Sequence, residues 1–283
     1  MHVDKEGFVP PSSRAVGLIT ALPKAWFNPV FLGLDGLDLG RPALWVGNHT
    51  VYGMLDTPLL CERLLREGIT LRALGDRGHF RVPVWGAALT RGGMVLGTPE
   101  NCRELMRSGQ HVLVFPGGGR EVMRRKGEAY QLIWKQRTGF ARMAMEHGYD
   151  IIPFGSLGPD ESLEIVMDAN DVMDSRVWQW LKKRVPLDEL TRGGDMIPPV
   201  AKGLGPTLLP RPQRFYFGIG PRIATAHLAG QTEDPEALWA LREQVAEGIQ
   251  AQLNLLREFR AIDKPANWGG WRRWLTANGE GKA

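Results

Sequence analysis

The chain has 283 residues, 43% of them hydrophobic, which is enough to bury a sizeable core in one large domain or two small ones. Its formal net charge of +4, from 35 basic and 31 acidic residues, is too small to indicate nucleic-acid binding. The two cysteines, Cys61 and Cys102, do not make a disulfide framework, which favours a reducing compartment. No apolar run reaches the roughly 18 residues of a membrane span, and the N-terminus lacks the features of a signal peptide, so we expect a cytoplasmic protein.

Three regions are expected along the chain. Residues 1–40 are an N-terminal segment whose apolar positions predict two short helices, lying on the core or on lipid. Residues 41–225 hold an α/β core, and a Gly- and Pro-rich stretch at 171–213 is interpreted as a lid-like insertion. Residues 226–283 comprise a long amphipathic helix and a tail rich in Trp and Arg.

Strands and helices alternate through the core. Apolar runs predict strands at 43–46, 70–74, 93–96, 111–115, 150–154, 163–167 and 214–219. Helical patterns are expected at 56–67, 98–107, 130–134, 139–146 and 175–185, with a connector at 76–91. The alternation predicts a single α/β domain with a mostly parallel central sheet flanked by helices. Ligands of such folds gather at the carboxyl ends of the strands.

The C-terminal helix is predicted over residues 235–259. Six apolar side chains recur there at helical spacing: Leu238, Leu241, Val245, Ile249, Leu253 and Leu256. In the tail, Trp268, Trp271 and Trp274 stand near two arginines, which suits a membrane interface, although ordinary packing is the alternative. Two basic runs, at 124–126 and 182–184, either contact phosphates or anionic lipid or form a solvated surface.

A histidine follows the first core strand. His49 comes directly after Gly47 and Asn48, and Asp56 lies seven residues further on, at the start of the next helix. A neutral imidazole is an effective proton acceptor when a carboxylate fixes its tautomer. The pair is a candidate general base with its orienting acid. The alternative is a structural histidine, as we interpret His79, His111, His147 and His227.

A glycine-rich turn follows the strand at 111–115. The residues Gly117, Gly118 and Gly119, here called the glycine turn, precede Arg120 and Glu121. Successive backbone amides in such a turn can bind an anion or an oxyanion, although a plain tight turn is the alternative. Because both segments follow buried strands, we expect them to face one cleft.

The common alternatives leave no signature in the sequence. It contains no G-x-x-x-x-G-K-[ST] loop, no G-x-S-x-G elbow, and no G-x-G-x-x-G after a strand. No cluster of His and Cys has the spacing of a metal site.

Four features follow one another along the chain: the pair His49 and Asp56, Arg91 in the connector, the run at 115–120, and the strand with Ile152-Pro153. Together they resemble the glycerolipid acyltransferase superfamily. That family carries N-H-x4-D, a block ending in Arg, F-P-E-G-T-R and a V-P strand. The sequences at 116–121 and 135–142 are more similar to the monoacylglycerol/diacylglycerol acyltransferase and phytyl-ester synthase-like branch of that superfamily. The resemblance spans roughly residues 43–160.

The resemblance implies acyl transfer to a lipid hydroxyl without a covalent enzyme intermediate. His49 would be the base and Asp56 its partner, while Arg91, Arg120, Glu121 and the glycine turn would contact substrates. The resemblance implies no metal and no cofactor: an acyl-CoA or acyl carrier protein thioester is the donor substrate. It also implies a lipid acceptor. Peripheral association with a membrane surface is predicted from the apolar N-terminal segment and from the tail with Trp268, Trp271 and Trp274.

Two positions depart from the family pattern. Asp56 is seven residues after His49 instead of five, so the pairing requires the chain to fold back at Gly53. Gly117 stands where the phosphate-acceptor branch has Glu, so the acceptor need not be a lysophosphatidate. A non-catalytic lipid-binding or carrier protein on the same scaffold is the competing interpretation. Acceptor identity, donor type and chain length stay open.

Overall fold

A computed structural model describes residues 8–263. Nine strands are present in this part of the chain: β1 (Val30–Leu32), β2 (Leu44–Gly47), β3 (Leu71–Gly75), β4 (Val95–Leu96), β5 (His111–Val114), β6 (Ile151–Leu157), β7 (Glu164–Met167), β8 (Val200–Lys202) and β9 (Tyr216–Ile219).

Twelve α-helices connect and cover the strands of the described residues. They are α1 (Ser13–Ile19), α2 (Ala21–Phe27), α3 (Thr57–Arg66), α4 (Pro83–Arg91), α5 (Pro99–Arg107), α6 (Gly119–Val122), α7 (Gly139–His147), α8 (Pro159–Ser162), α9 (Ala169–Asp174), α10 (Arg176–Lys182), α11 (Leu187–Leu190) and α12 (Pro235–Ile262). Short 3₁₀ turns occupy Val51–Gly53, Arg77–Arg81 and Ala226–Gln231.

Seven strands form one sheet in the order β1-β9-β6-β2-β5-β3-β4. All neighbouring pairs are parallel except β6 and β9, which are antiparallel. The carboxyl ends of β2, β3, β5 and β6 therefore lie at one edge of the sheet, called here the carboxyl edge. The predicted α/β class with a mostly parallel central sheet is confirmed. Strands β7 and β8 form a separate antiparallel pair.

Each face of the sheet is covered by helices. One face packs against α5, α7 and α12, and all six predicted apolar positions of α12 are buried. The other face packs against α3, whose Leu59, Leu60 and Leu64 are buried with Trp45 of β2. Helix α5 begins as predicted, because the Thr98 hydroxyl accepts a hydrogen bond from the Asn101 N–H (3.2 Å) and Pro99 occupies the first position.

Three local expectations are wrong. Residues 130–134 are not helical, because their backbone bonds to side chains of distant segments. The connector at 76–91 contains a 3₁₀ turn and helix α4. The N-terminal segment is not wholly helical: β1 joins the central sheet beside β9, with Val30 opposite Tyr216.

No helix among residues 8–263 is long and apolar enough to cross a membrane. The Trp- and Arg-rich tail predicted to meet a membrane lies outside the described residues.

Candidate active site

The turn after β2 is formed by the side chain of Asn48. Its Nδ2 donates to the Ser156 carbonyl (3.0 Å), and its Oδ1 accepts from the Ser156 N–H (2.8 Å). The amide side chain thus continues the pairing with β6 where the backbone of β2 leaves the sheet. As a result, the backbone just before His49 is held in a fixed position at the carboxyl edge.

His49 packs against Phe115, which lies between β5 and the glycine turn. Its imidazole stacks on the Phe115 ring, with centroids 4.0 Å apart. The side chain is half-buried, and Nδ1 is buried without a hydrogen-bond partner. Burial lowers the pKa of His49 to about 3, and the charges of Arg124 and His79 add to this effect. The imidazole is therefore neutral near pH 7.

The predicted pairing of His49 with Asp56 is wrong. Asp56 is buried, but its Oδ1 accepts hydrogen bonds from the Thr50 hydroxyl (3.0 Å) and from the Thr57 N–H (2.9 Å). Asp56 is the N-cap of α3 and holds the end of the His49 turn. The chain does bend at Gly53, where φ is +60°. That bend brings the Gly53 backbone, rather than a carboxylate, against the imidazole.

The carboxylate nearest to the backbone of His49 comes from Glu121. This side chain is wholly buried; Oε2 accepts from the His49 N–H (3.4 Å) and Oε1 from the Ile133 N–H (2.8 Å). Burial raises the pKa of Glu121 to about 7. The side chain is wholly enclosed, contrary to the expectation that it contacts substrate. It links the two turns.

The amides of the glycine turn are only partly available. The Gly118 N–H donates to the Phe115 carbonyl (3.0 Å), which removes it from the predicted anion nest. The Gly117 and Gly119 amides take no acceptor among residues 8–263. Nη1 of Arg137 donates to the Pro116 and Gly117 carbonyls, each at 2.7 Å. Two N–H groups of the turn are therefore without an acceptor in the described part of the chain, and they lie near the guanidinium of Arg137, which was not among the predicted site residues.

Arg120 does not present a free cation to the cleft. It is buried, forms a bidentate ion pair with Glu128, and places Nε 3.3 Å from Asp195 Oδ1. The predicted substrate contact is therefore replaced by an internal one. Arg91 is the exposed last residue of α4 and has no ion pair in the described part of the chain.

A buried ion pair contacts the backbone on both sides of Thr50, the residue after His49. Arg124 Nε lies 3.1 Å from Asp160 Oδ2, and both side chains are almost fully buried. Arg124 Nη2 donates to the His49 carbonyl, while Asp160 Oδ1 accepts from the Val51 N–H (2.7 Å). The pair thus fixes the backbone immediately before and after Thr50.

Neither Arg124 nor Asp160 was among the predicted site residues. Arg124 stands in the basic run at 124–126, which was expected to be surface or a phosphate contact, and the structure encloses it. Asp160 carried a usable signal, because it follows the carboxyl end of β6, the neighbour of β2 in the sheet.

The insertion at 171–213 contacts both turns. The Tyr52 hydroxyl donates to the Pro199 carbonyl (2.7 Å), and Met196 lies against Gly119, where a Cβ would be 2.9 Å from its sulfur. Asp195 contacts Arg120 and Lys135. These contacts agree with a lid, although its movement stays a prediction.

Comparison with known proteins identifies the domain that holds this site. Residues 28–156 match the model of the acyltransferase family. The chain is also similar to the crystal structure of the 1-acyl-sn-glycerophosphate acyltransferase from Thermotoga maritima, with a TM-score of 0.50, 14% identity, and coverage of 83% of this chain and 78% of that one. That likeness concerns the fold. Residues 28–156 therefore form a domain of the acyltransferase family.

Curated relatives are similar over most of this chain. Phytyl ester synthase 2, chloroplastic, of Arabidopsis thaliana is 31% identical over 245 residues, which is 83% of this chain and 35% of that protein. The bovine "DGAT1/2-independent enzyme synthesizing storage lipids" is 25% identical over 246 residues, 84% of this chain and 66% of that protein. The chain thus spans about a third of the length of the phytyl ester synthases.

Proposed function

We propose that this protein transfers a fatty acyl group from a thioester to the hydroxyl of a lipid acceptor, with His49 as general base. The observation that carries the proposal is the neutral, half-buried imidazole of His49 at the carboxyl edge, next to the glycine turn. The family of the domain and the lipid-acylating relatives support the same reaction class. A phytol, a partial glyceride, a long-chain alcohol or a lysolipid could each supply the hydroxyl.

In the proposed reaction, His49 accepts the proton of the acceptor hydroxyl as its oxygen attacks the thioester carbonyl. The tetrahedral intermediate collapses, the C–S bond breaks, and the proton passes to the thiolate, giving an ester and a free thiol. No covalent bond to the protein forms. Glu121, Arg124 and Asp160 hold the backbone of the base in place through the contacts described above.

The glycine turn is proposed to stabilise the oxyanion. The Gly117 and Gly119 amides take no acceptor among the described residues, and the Arg137 guanidinium fixes the carbonyls on the same turn. Pre-oriented N–H donors of this kind are each worth about 10²–10³ in rate. Arg120 is proposed to act on the substrate only indirectly, because its ion pairs fix the start of α6 behind the turn.

Peripheral membrane association on the cytoplasmic side is part of the proposal. The N-terminal helices carry three exposed apolar side chains: Leu18, Ile19 and Leu22, which are 79%, 78% and 74% exposed. An acceptor that resides in a membrane would be reached most directly by a protein that binds its surface.

The decisive experiment measures thiol release from a long-chain acyl-CoA with a panel of lipid acceptors, for wild type and His49→Ala. We expect acceptor-dependent release, lost in the variant while circular dichroism is unchanged. His147→Ala is the matched control, because that histidine lies on α7, away from the carboxyl edge.

The other outcomes have distinct meanings. Full turnover by His49→Ala would refute the role of the base. Release without an acceptor would indicate a thioesterase. If acyl-CoA gives no release, the same panel with acyl carrier protein thioesters decides between a different donor and a non-catalytic lipid binder.

A further inference from the structure

Residues 77–91, which lie between β3 and β4, carry cations without carboxylates. They include Arg77, Arg81 and Arg91 and no acidic residue. None of the three arginines has an ion-pair partner among residues 8–263, and all three are exposed. The adjacent acid, Asp76, accepts a hydrogen bond from the Gly78 N–H (2.8 Å). Residues 76–91 therefore carry a net charge of +2, from three arginines and one carboxylate.

The same segment exposes apolar side chains. Val82 and Val84 are 54% and 85% exposed, and Gly86 is the only residue of α4 that is buried within the described structure. A helix that leaves its apolar residues in water gains little from folding onto the core. Val82, Val84 and the three arginines are called here the α4 surface.

The α4 surface is held in a defined position. The Trp85 Nε1 donates to His79 Nδ1 (3.3 Å), which joins α4 to the preceding 3₁₀ turn. A Cβ at Gly86 would lie 3.1 Å from the Phe80 Cα, so the glycine allows the helix to pack closely on that turn. The segment begins where β3 ends, at the carboxyl edge that also carries His49.

We propose that the α4 surface binds an anionic lipid membrane and presents the carboxyl edge to it. Its composition matches that occupant: arginines meet lipid phosphates, while the valines enter the interface between headgroups and acyl chains. Each arginine near an anionic surface contributes about a fivefold gain in affinity. That this orientation would bring a lipid acceptor to His49 rests on the proposed function, whereas the membrane binding itself does not.

The test is co-sedimentation of the full chain with vesicles of phosphatidylcholine alone or with about 30% phosphatidylglycerol. The α4-surface variant combines Arg77→Gln, Arg81→Gln, Val82→Ser and Val84→Ser. The matched control is Arg176→Gln with Val177→Ser, because Val177 is 67% exposed on α10 of the insertion. A third variant, Leu18→Asn with Ile19→Asn, tests the N-terminal helices separately.

We expect the wild type to prefer the anionic vesicles and the α4-surface variant to bind them at least about 25-fold more weakly, because the two lost arginines alone account for that factor and the lost valines add to it. The control variant should bind as the wild type does. Unchanged binding by the α4-surface variant, or no binding by the wild type, would overturn the proposal. An unchanged vesicle affinity with a raised KM for acyl-CoA would instead assign the arginines to the phosphates of the donor. Co-sedimentation needs no turnover, so a failure of the acyltransferase assignment would be seen separately.

Discussion

At the scale of single residues, the site depends on how closely the backbone approaches His49. Gly53 has φ of +60°, and a Cβ there would lie 2.2 Å from His49 Cε1. The imidazole is therefore confined between the Phe115 ring and the Gly53 backbone. Since no carboxylate bonds to Nδ1, packing rather than a catalytic acid orients the ring.

Replacing Gly53 by alanine should displace the imidazole and strongly reduce acyl transfer. Gly68→Ala is the matched control, because Gly68 also has a positive φ (+81°) but a Cβ there would meet nothing within 4 Å. Gly68→Ala should lose about 1–2 kcal/mol of stability from its positive φ, and Gly53→Ala should lose more, because its Cβ also meets the imidazole. Only Gly53→Ala should lose activity in the thiol-release assay. Equal activities in the two variants would show that the close contact is unimportant.

The buried pair of Arg124 and Asp160 should act on the base through its backbone. Asp160→Asn removes the charge that Arg124 faces, and breaking a buried pair costs about 3–5 kcal/mol. The control is Glu146→Gln, whose partly exposed pair with Arg103 is worth about 0–1 kcal/mol.

We expect Asp160→Asn to lower the urea midpoint and to lower kcat with little change in KM, because Asp160 is buried and holds the backbone next to His49. A change confined to stability, with kcat unaltered below the unfolding midpoint, would leave Asp160 a purely structural residue.

At the scale of elements, the insertion is fastened to the site by charge. Asp195 lies near both Arg120 and Lys135, and Met196 then covers Gly119. Because Arg120 retains its bidentate partner Glu128, loss of Asp195 should loosen the insertion without disturbing the glycine turn.

Asp195→Asn should therefore increase amide hydrogen exchange across residues 195–202 while leaving the exchange of β5 unchanged. Asp188→Asn is the control, since Asp188 belongs to the same insertion but pairs with the exposed Lys182 (2.7 Å). Mass-spectrometric exchange under native conditions measures both. Identical exchange in the two variants would argue against an ionic anchor at Asp195.

The elements themselves were largely predictable where local patterns determine them. The apolar stripe of α12 follows from helical period alone, and the start of α5 follows from Thr98 and Pro99. Residues 130–134 were not, because Glu121 and Asp160 hold their backbone from distant positions. Because both segments follow buried strands of a parallel sheet, His49 and the glycine turn could be predicted to meet. The links made by Glu121, Arg124 and Asp160 could not be predicted, because they join positions that are distant in the chain.

At the scale of the whole molecule, two buried groups influence stability against pH in opposite directions. His49 has its pKa lowered to about 3, so the unfolded chain binds the extra proton and stability falls as pH drops below 6.5. Glu121 has its pKa raised from 4.5 to about 7, so the folded chain holds the extra proton between these values. Its contribution is therefore lost as pH rises from 4.5 to 7.

Glu121→Gln should remove the second effect. Relative to wild type, the variant's free energy of unfolding should become steadily larger, meaning a more stable variant, as pH rises from 4.5 to 7, and should then level off. Urea unfolding at intervals across that range measures the difference. Glu189→Gln, on the exposed surface of α11, is the control and should shift the curve without changing its slope. A constant offset between Glu121→Gln and wild type would show that the carboxyl titrates normally.

The closeness of Gly117 to Glu121 also constrains how this sequence can change. A Cβ at position 117 would lie 2.1 Å from the Glu121 carboxyl carbon, so the two positions compete for one space behind the His49 amide. In a relative with glutamate at the position of Gly117, residue 121 must therefore have a side chain short enough to leave that space free. An evolutionary or engineered exchange would therefore have to shorten residue 121 first and enlarge residue 117 second; the reverse order passes through an intermediate that does not pack.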